Sequence, residues 1–555
     1  MLIALLTAAI IWHIAKTAIV YNRARKLGLP IVITPAEPMV QPVWTTLIAI
    51  LAPLIRQLPY NLGEFADFDT WQYRFKQENR VHRRLGPIFL MVNSSGIRVM
   101  LADGAACEDV LHRYKEFIKP EILYKPLDLF GENVDTANGG EWQRHRKITA
   151  PSFNERNSNM VWSESLSQAK GMLHKWTSIA ESNIVSSTHV DTTTLALHVI
   201  TGAGFGKKFH YNDVSKAEDG HQLSFKEAME SVLSRIFAVI VTSSLSKSLR
   251  AIIPDKLNPL VTIETSIREL KQYLVEMVDE QREKLDETSQ DQDTLVSALL
   301  RAADLEKYQG KGKYTLSNDE IYGNLFIYSF AGHDTTANSL HYALVLLAND
   351  EVRQAWVKEE VQAVVGKDAD PTNLEYKDNF PKLKRCLAVM FETIRIYGPV
   401  NTLPRTTGSA SLPLKVKGKE YIIPPNTMVM ENMLGIHTDP EVWGTDAYMW
   451  KPERWIVQRD GSEGIDNEEL MPTPVGFIPW SYGPRVCPGR KFAQVEFVAV
   501  IATLMAHHHV RVNALDGETK LQTSKRVSDA LLNSRALITL KMQNPEKVKL
   551  VWDKD

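Results

Sequence analysis

The sequence predicts a mainly α-helical protein with small β-sheets, built as one large domain behind an N-terminal transmembrane helix. Three observations predict this class. Apolar positions follow helical spacing over most of residues 160–365. Short strand-like runs, separated by proline and glycine, flank that region. The 555 residues contain no long linker, repeat or low-complexity block, so we expect one domain rather than the roughly three or four that length alone favours.

The first segment is apolar enough to be a membrane anchor. Residues 2–21 are nearly all apolar, and three basic residues follow at positions 23, 25 and 26. About 20 apolar residues span a bilayer, and flanking positive charges stay on the cytoplasmic side. We therefore predict a transmembrane signal-anchor helix at residues 1–22, with the remainder of the chain in the cytosol. A cleaved signal peptide is the alternative.

A proline-rich hinge and a second apolar run are predicted at residues 23–60. Residues 43–55 are too short to span a membrane and contain Pro53. We expect this run to lie in the membrane interface or to pack on the domain. The folded domain is then predicted to occupy residues 61–555.

Periodicity and turn residues place the elements of this domain in order. We predict a hairpin at residues 87–102, helices at 103–114 and from 141, an exposed loop at 286–293, and helices at 318–347 and 382–397. The acidic residues 461–470 are expected to form a surface insertion.

Cys107, Cys386 and Cys487 lie far apart, which excludes a disulfide framework. A net charge of −2 gives no global field that would attract nucleic acid.

A loop with a single cysteine carries the strongest chemical signal. Residues 480–489 read Trp-Ser-Tyr-Gly-Pro-Arg-Val-Cys-Pro-Gly, and an apolar helix is predicted after them. A thiolate at a helix start meets free N–H groups and the helix dipole, which predicts a lowered pKa for Cys487. Arg485 suits a carboxylate, and Gly483 and Gly489 allow close approach of a flat ligand. The pattern indicates a cysteine that ligates the iron of a cofactor with acid groups; a buried structural cysteine is the alternative.

This loop resembles the haem-binding signature of the cytochrome P450 family, phenylalanine-x-x-glycine-x-arginine-x-cysteine-x-glycine. Trp480 stands at the phenylalanine place, and the other four positions match. The resemblance implies haem b as the cofactor, with Cys487 as its axial thiolate ligand. It also implies that Arg485 pairs with a haem propionate and that Gly489 lies against the cofactor. The resemblance covers nearly the whole chain after about residue 80.

A second motif lies inside the helix predicted at 318–347. Residues 330–336 read Phe-Ala-Gly-His-Asp-Thr-Thr, although glycine and threonine weaken a helix. Gly332 leaves room for a small ligand, and Asp334 beside Thr335 forms an acid–alcohol pair that can move protons. A bent helix with a polar face is the alternative. The segment is similar to the family's oxygen-activation helix, which implies that Thr335 orients dioxygen and that Asp334 relays protons.

Charged residues near the C-terminal third resemble a structural network of the family. Glu392 and Arg395 lie three residues apart on one helical face, which in isolation favours an exposed ion pair. With Arg454 they resemble the family's glutamate–arginine–arginine network, which fixes the cysteine loop. Trp455 replaces the usual phenylalanine, and Gly398 replaces a common proline, which predicts a looser turn.

Further basic residues resemble contacts to haem propionates. Trp142 and Arg146 lie four apart at a predicted helix start, and Arg405 resembles another propionate contact. A solvated basic face is the alternative. The remaining basic residues are expected to face an acidic electron donor. These are Arg144, Lys147, Arg490 and Lys491.

The resemblance implies a microsomal-type monooxygenase, similar to filamentous-fungal members, held by one span in the endoplasmic reticulum membrane. It implies insertion of one atom of dioxygen into a lipophilic substrate by hydroxylation or epoxidation, in secondary metabolism. Electrons are expected from NADPH through a separate reductase. Substrate-lining segments are implied at residues 124–138, 225–241, 326–331, 400–403 and 530–533. A haem-thiolate isomerase or dehydratase that needs no reductase is the alternative, and a haem sensor is a third; the Asp334–Thr335 pair argues against both.

Overall fold

The computed structural model is mainly helical with small sheets, as the sequence predicts. It describes residues 2–34, 42–57, 75, 79–178, 183–213, 216–235, 259–287, 294–308, 315–366, 369–459, 464–536 and 538–555. The helices are α1 (Leu2–Ala24), α2 (Pro42–Ile55), α3 (Arg80–Leu85), α4 (Gly104–His112), α5 (Glu121–Tyr124), α6 (Gly139–Thr149), α7 (Glu155–Ser178), α8 (Thr188–Val199), α9 (Phe225–Ser234), α10 (Pro259–Glu287), α11 (Leu295–Tyr308), α12 (Asn318–Asn349), α13 (Glu351–Val365), α14 (Tyr376–Asn379), α15 (Lys384–Tyr397), α16 (Met433–His437), α17 (Pro440–Trp443), α18 (Arg490–Met505) and α19 (Lys520–Leu532). The strands are β1 (Ile31–Ile33), β2 (Ile88–Asn93), β3 (Gly96–Leu101), β4 (Ile184–Val185), β5 (Thr402–Thr406), β6 (Leu412–Val416), β7 (Lys419–Ile423), β8 (Met428–Asn432), β9 (Ile456–Gln458), β10 (Glu468–Leu470), β11 (His508–Val512), β12 (Ser534–Ala536), β13 (Leu540–Met542) and β14 (Leu550–Lys554).

The largest sheet has the strand order β1-β2-β3-β8-β5. The β1–β2 and β3–β8 pairs are parallel, whereas β2–β3 and β8–β5 are antiparallel. The predicted hairpin is confirmed as β2–β3, with Asn93 paired to Gly96 across a two-residue turn. Strand β5 carries Arg405, which the sheet holds in register with Val429.

Smaller sheets cover other parts of the helical body. The order β11-β14-β4 makes one sheet, and β6–β7, β9–β10 and β12–β13 are antiparallel pairs. Hydrogen bonds attach the β12–β13 hairpin to its surroundings. The Leu540 N–H donates to the Pro399 carbonyl at 2.8 Å, and the Tyr342 hydroxyl lies 2.6 Å from Ser534 Oγ. The hairpin is therefore fixed against α12 and the chain that follows α15.

Helix α12 runs through the core. It is buried on nearly all sides and includes buried polar residues such as Asn324 and Asn338. It begins with a capping box formed by Ser317 and Glu320. Between Ile321 and Ala348 its side chains are buried except at three positions. These are Ala331, Gly332 and Thr335. Between its two ends, the described protein thus leaves α12 uncovered only at the motif that the sequence predicts.

The chain between α5 and α6 lies directly on the first turns of α12. A Cβ at Gly131 would stand 2.1 Å from the Asp319 carbonyl oxygen, and one at Gly323 would stand 2.3 Å from the Gly131 carbonyl oxygen. Only glycine permits two backbones to approach this closely. The contact holds residues 125–138 against the central helix.

The prediction of an acidic surface insertion at residues 461–470 is wrong for the end of that segment. Residues 468–470 form β10, and Glu468 is buried. Its carboxylate accepts hydrogen bonds from Arg385 Nε at 2.8 Å and Nη2 at 2.7 Å. A bidentate arginine neutralises the carboxylate, so the acidic residue is retained inside the protein. Residues 460–463 of this segment, and residues 288–293 of the predicted polar loop, lie outside the described residues.

The N-terminal helix forms as α1 and contacts the β2–β3 hairpin. His13 Nδ1 lies 2.8 Å from Ser94 Oγ, and Ala24 is fully buried. Among the described residues, no helix is both long and apolar enough to cross a bilayer. The predicted transmembrane span at residues 1–22 is therefore not confirmed.

The predicted hinge contains regular structure. Residues 31–33 form β1, which pairs with β2, while residues 35–41 lie outside the described part. Most of the second apolar run is helical as α2, and Leu47, Ile50 and Leu54 are exposed on it.

Candidate functional site

The cysteine loop connects the β10 region to α18 through a tight turn at Gly483–Arg485. Gly483 has φ +68°, and a Cβ there would come within 3.0 Å of His112 Cα, so the position requires glycine. Gly489 has an ordinary φ of −79°, and a Cβ there would stand 3.9 Å from Cys487 Sγ. Backbone strain therefore explains Gly483 alone, and Gly489 leaves the sulfur free of a neighbouring side chain.

Cys487 presents its sulfur just before α18. Its N–H donates to the Trp480 carbonyl at 2.8 Å. Cys487 is exposed, although the surrounding protein atoms are close enough to reduce the hydration of its thiol. Burial raises the pKa of the Cys487 thiol, and the N–H of Gly489 lowers it by less. The pKa of Cys487 is therefore raised, whereas its position at a helix start predicts a lowered pKa. Loss of hydration penalises a thiolate more than the helix terminus stabilises it.

Three cations lie near this loop with one carboxylate among them. Lys119 Nζ pairs with the Asp135 carboxylate and donates to the Asp135 carbonyl at 2.7 Å. Burial and the charges of Arg485 and Arg405 lower the pKa of Lys119 to about 7. Burial and the charge of Arg405 lower the pKa of Arg485 to about 10. The cluster therefore holds more positive charge than Asp135 neutralises.

The two arginines of this cluster are held differently. Arg485 donates to Asn138 Oδ1 at 3.1 Å and to the Ala137 carbonyl. The Nε group of Arg405 is buried and has no hydrogen-bond partner among the described residues. A buried donor without an acceptor costs free energy. Arg405 is therefore suited to an acidic group that does not belong to the chain.

Trp142 and Arg146 contact different parts of the site. The guanidinium of Arg485 lies 4.9 Å from the Trp142 ring centroid, a cation–π contact, so Trp142 supports the cation cluster. Burial lowers the pKa of Arg146, and its ionisable neighbours are Cys487 and Tyr328. The structure thus places Trp142 under Arg485 and Arg146 toward the sulfur.

The two residues of the acid–alcohol pair point in different directions. Thr335 lies on the uncovered part of α12, and its hydroxyl donates to the Ala331 carbonyl at 2.8 Å. Asp334 is buried, accepts from the Thr539 hydroxyl and pairs with Lys541 Nζ at 2.6 Å. The structure therefore does not bring the Asp334 carboxylate and the Thr335 hydroxyl together.

Glu392, Arg395 and Arg454 meet in one buried network. Glu392 Oε2 accepts from Arg395 Nε at 2.8 Å, and Oε1 accepts from Arg454 Nε at 2.9 Å. Nη1 of Arg395 donates to the carbonyls of His437 and Ala447 at 2.7 and 2.6 Å, and Nη2 donates to Glu392 Oε1 at 2.8 Å. Both Glu392 and Arg395 are fully buried. Every charge in this network is paired, as burial of ions demands.

The tryptophan at position 455 adds a contact that phenylalanine could not make. Trp455 Nε1 donates to Glu392 Oε2 at 2.9 Å. Its ring also packs on Phe477, with centroids 4.6 Å apart, and Phe391 lies 5.9 Å from Trp480. These aromatic contacts connect the Glu392 network to the start of the cysteine loop.

The expectation of a looser turn at Gly398 does not account for the glycine. A Cβ at this position would stand 2.5 Å from the Ile394 carbonyl oxygen. The close approach of the last turn of α15 therefore excludes any side chain there.

The basic residues expected at the electron-donor face differ in how far carboxylates of the chain already neutralise them. Arg144 pairs with Glu141 and Glu320, so its charge is already neutralised. Arg490 is exposed above the Trp480 ring, and Lys491 lies 4.1 Å from the Phe380 ring centroid.

Several residues of the site carry no signal in the sequence. Lys119 and Asp135 join the cation cluster from a segment without a motif, and Thr539 and Lys541 reach Asp334 from about 205 residues away. Their spacing predicts nothing, because the contacts depend on the tertiary fold. Trp455 stands where the family pattern has phenylalanine. Its indole N–H, which phenylalanine lacks, could have indicated a hydrogen-bond partner.

The comparisons with known proteins agree on one family. A family model described as Cytochrome P450 matches residues 55–541. The chain is 30% identical over 536 residues to a cytochrome P450 monooxygenase of Penicillium roqueforti, covering 90% of this chain and 89% of that protein. It is 29% identical to one of Arthrobotrys oligospora, with 97% and 98% covered. The phomenoic acid biosynthesis cluster cytochrome P450 monooxygenase of Leptosphaeria maculans is 30% identical, with 80% and 79% covered.

Fold and site define a helical protein built around a cysteine at the start of a buried helix, with cations beside it. The chain belongs to the cytochrome P450 family. It is a monooxygenase, an oxidoreductase that uses haem with a cysteine thiolate as axial ligand. Proteins of this family generally act on lipophilic substrates with electrons from a redox partner.

The residues present fit a haem group. Its propionates would supply the negative charge that the Lys119, Arg405 and Arg485 cluster lacks, and an acceptor for the buried Nε of Arg405. A ligand can reach α12 where Ala331, Gly332 and Thr335 are not buried.

Removal of the Glu392 carboxylate should prevent assembly of the holoprotein. In Glu392→Ala, the fully buried Arg395 would lose its counter-charge, which costs about 3–5 kcal/mol, and Arg454 would keep only its pair with Asp446 at 3.2 Å. We expect little folded protein and a low ratio of haem to protein absorbance. Glu441→Ala is the matched control, because Glu441 pairs with Lys417 on the surface at 2.7 Å. A fully haem-loaded Glu392→Ala protein, as stable as the control, would contradict the role of the network.

Proposed function

We propose that Cys487 is the axial ligand of haem b and that Arg405, Arg485 and Arg146 bind its acidic groups. The excess of buried positive charge beside an accessible thiol carries this assignment. Trp142 would support Arg485 from below, and Gly489 would leave space beside the sulfur. The Glu392, Arg395 and Arg454 network would hold the loop in place.

Haem with a thiolate ligand supplies the oxidising chemistry, in which one atom of dioxygen enters a C–H bond or a double bond. The chain's part is to bind the substrate, exclude water and deliver protons. We assign proton handling to Thr335, on the uncovered part of α12, and to Asp334 behind it. The substrate is a lipophilic organic molecule. In support, Phe130 and Phe326 bring two predicted lining segments together with ring centroids 5.1 Å apart; residues 236–241 of a third lie outside the described part.

The electrons come from NADPH through a flavoprotein reductase, and the reaction belongs to fungal secondary metabolism. Arg490, exposed at the start of α18, supports an acidic partner on this side. The similarity to a monooxygenase of the phomenoic acid cluster supports a biosynthetic role.

We place the protein at the endoplasmic reticulum membrane, with residues 1–22 as anchor, 23–60 as connecting and interfacial segment, and 61–555 as the cytosolic catalytic domain. The apolar side chains exposed on α1 and α2 support membrane contact. They include Ile11, Trp12, Ile14, Ile50 and Leu54.

The iron ligand can be tested by spectroscopy. Reduced wild-type protein with carbon monoxide should show the red-shifted band of thiolate ligation, and Cys487→Ala should lose the band and most of the haem. Cys107→Ala and Cys386→Ala are matched controls, because both thiols are fully buried elsewhere. A normal band in Cys487→Ala would overturn the assignment.

The role of Thr335 can be tested by stoichiometry. Thr335→Ala removes the hydroxyl but keeps the helix, so NADPH oxidation with reductase should continue while product falls and hydrogen peroxide rises. Thr335→Ser, which keeps the hydroxyl, should stay close to wild type. The measurement is product formed per NADPH consumed. An unchanged ratio in Thr335→Ala would refute the role, and wild-type turnover without NADPH would favour the isomerase or dehydratase alternative.

Membrane attachment can be tested by carbonate extraction. Deletion of residues 1–26 should move much of the protein to the soluble fraction, because the whole of α1, with its exposed apolar side chains, is removed. Residual binding through α2 is compatible with the proposal. Recovery of the full-length protein in the soluble fraction would contradict an anchoring role for α1.

A further inference from the structure

Asn324 joins three parts of the protein through one amide group. It lies on α12 and is fully buried. Its Oδ1 accepts from the Val134 N–H at 2.9 Å, and its Nδ2 donates to the Glu320 carbonyl at 2.7 Å. The same Nδ2 lies 3.0 Å from His145 Nδ1. Helix α6, helix α12 and the chain between α5 and α6 therefore meet at this side chain.

The backbone partners of Asn324 fix the orientation of its amide. Oδ1 faces an N–H group, which can only donate, and Nδ2 faces a carbonyl, which can only accept. The second hydrogen of Nδ2 then points to His145 Nδ1, which acts as the acceptor. Turning the amide over would place like groups against each other at both backbone partners.

His145 is in the protonation state that this arrangement requires. The residue is fully buried, and burial lowers the pKa of its ring; Arg144 also lowers the pKa, and Glu320 raises it by less. The ring is therefore neutral near pH 7, with Nδ1 as the acceptor and the hydrogen on Nε2. Nε2 lies 3.5 Å from Glu320 Oε1.

A metal ion does not explain this group of residues. The ligand atoms of Glu132, His145 and Glu320 lie within 4.8 Å of one another. However, Nδ1 of the histidine already accepts from Asn324, and Nε2 carries the hydrogen, so the ring has no free lone pair for a metal. The histidine instead serves to orient the amide.

The segment that contains Val134 is closed by its own hydrogen bonds. Asn133 Oδ1 accepts from the N–H groups of Asp135 and Thr136 at 3.0 and 3.2 Å. Asn133 Nδ2 donates to the Leu127 carbonyl at 3.2 Å. Because these bonds connect both ends of the turn, a hydrogen bond to Val134 positions the turn as a whole.

The same turn packs on α12 through glycine. The close approach of Gly131 and Gly323 holds the two backbones together, but van der Waals contact has little directional preference. The hydrogen bond from Val134 to Asn324 has a preferred direction and length. It is therefore the contact that sets where the turn lies along the helix.

We propose that Asn324 is a positioning residue for substrate binding, which, with neutral His145 as its orienting partner, sets the place of residues 125–138 along α12. This placement determines the shape of the pocket wall that these residues form. The inference deepens the proposed function and rests on it, because it takes the segment as part of the substrate-binding wall. Asn324 acts through that segment, and no bond is made or broken.

The first test measures the Val134 amide directly. Hydrogen exchange of the holoprotein is followed by mass spectrometry with fragmentation to single residues. In Asn324→Leu the Val134 N–H should exchange about tenfold faster or more, because it loses its acceptor. Asn324→Asp keeps an oxygen toward Val134 and should recover part of the protection. His145→Leu, which leaves the amide without its orienting partner, should give a smaller increase.

Asn338→Leu is the matched control for this test. Asn338 is a second buried asparagine of α12, and its Nδ2 donates to the Asp334 carbonyl of the same helix at 2.6 Å. Its loss should leave exchange at Val134 at the wild-type rate. Wild-type exchange in Asn324→Leu, or equally fast exchange in Asn338→Leu, would overturn the proposal.

The second test measures the pocket with two ligands of haem iron that differ in size, imidazole and 1-dodecylimidazole. Affinities are read from the shift of the haem absorbance band. Asn324→Leu should bind 1-dodecylimidazole several-fold more weakly, because its chain contacts the displaced wall, while the affinity for imidazole stays nearly unchanged. Asn338→Leu should bind both ligands as the wild type does. Equal losses for both ligands in Asn324→Leu would show a general defect and refute the positioning role, as would no loss for either.

The two readouts keep the proposal testable if Asn324→Leu does not fold. In that case Asn324→Asp and His145→Leu decide by the same exchange and affinity measurements. Failure of the proposed function has a different result. Wild-type protein that binds 1-dodecylimidazole no more tightly than imidazole would refute the lipophilic pocket itself, whatever the variants do.

Discussion

The fold around the cysteine depends on a single buried carboxylate, that of Glu392. A charge in the core is tolerated only when donors surround it, and Glu392 takes them from two separate segments. Arg395 belongs to the same helix, while Arg454 and Trp455 come from the chain about 60 residues later. Because Trp455 packs on Phe477, the position of the carboxylate also sets the position of the chain that leads into the cysteine loop.

Charge balance distinguishes the structural parts of the protein from its site. The Glu392 network and the Arg385–Glu468 pair are both buried, and each cation in them has an anion. Among the described residues, Asp135 is the carboxylate that acts on both Lys119 and Arg485, and burial, together with repulsion within the cluster, lowers the pKa values of these two cations. Such an excess of positive charge is expected where an acidic ligand supplies the missing negative charge.

Local patterns in the sequence predict much of this architecture. Helix α12, the β2–β3 hairpin and the pairing of Glu392 with Arg395 depend on residues a few positions apart, so their spacing predicts them. Contacts between distant segments were not predictable. Glu468 reads as part of an acidic surface stretch until Arg385 meets it, and Lys119 has no motif at all. The raised pKa of Cys487 was missed for the same reason, because burial is a tertiary property.

The pair Asp334 and Thr335 shows why adjacency in a motif does not imply a shared site. In a helix, neighbours face different sides, so each side chain takes the partners that its own side offers. Thr335 finds a carbonyl one turn back, and Asp334 finds a hairpin about 205 residues further on. The two adjacent residues of the motif therefore have different surroundings. Thr335 lies on the uncovered part of α12, whereas Asp334 meets the partly exposed cation Lys541, which lowers the pKa of the acid.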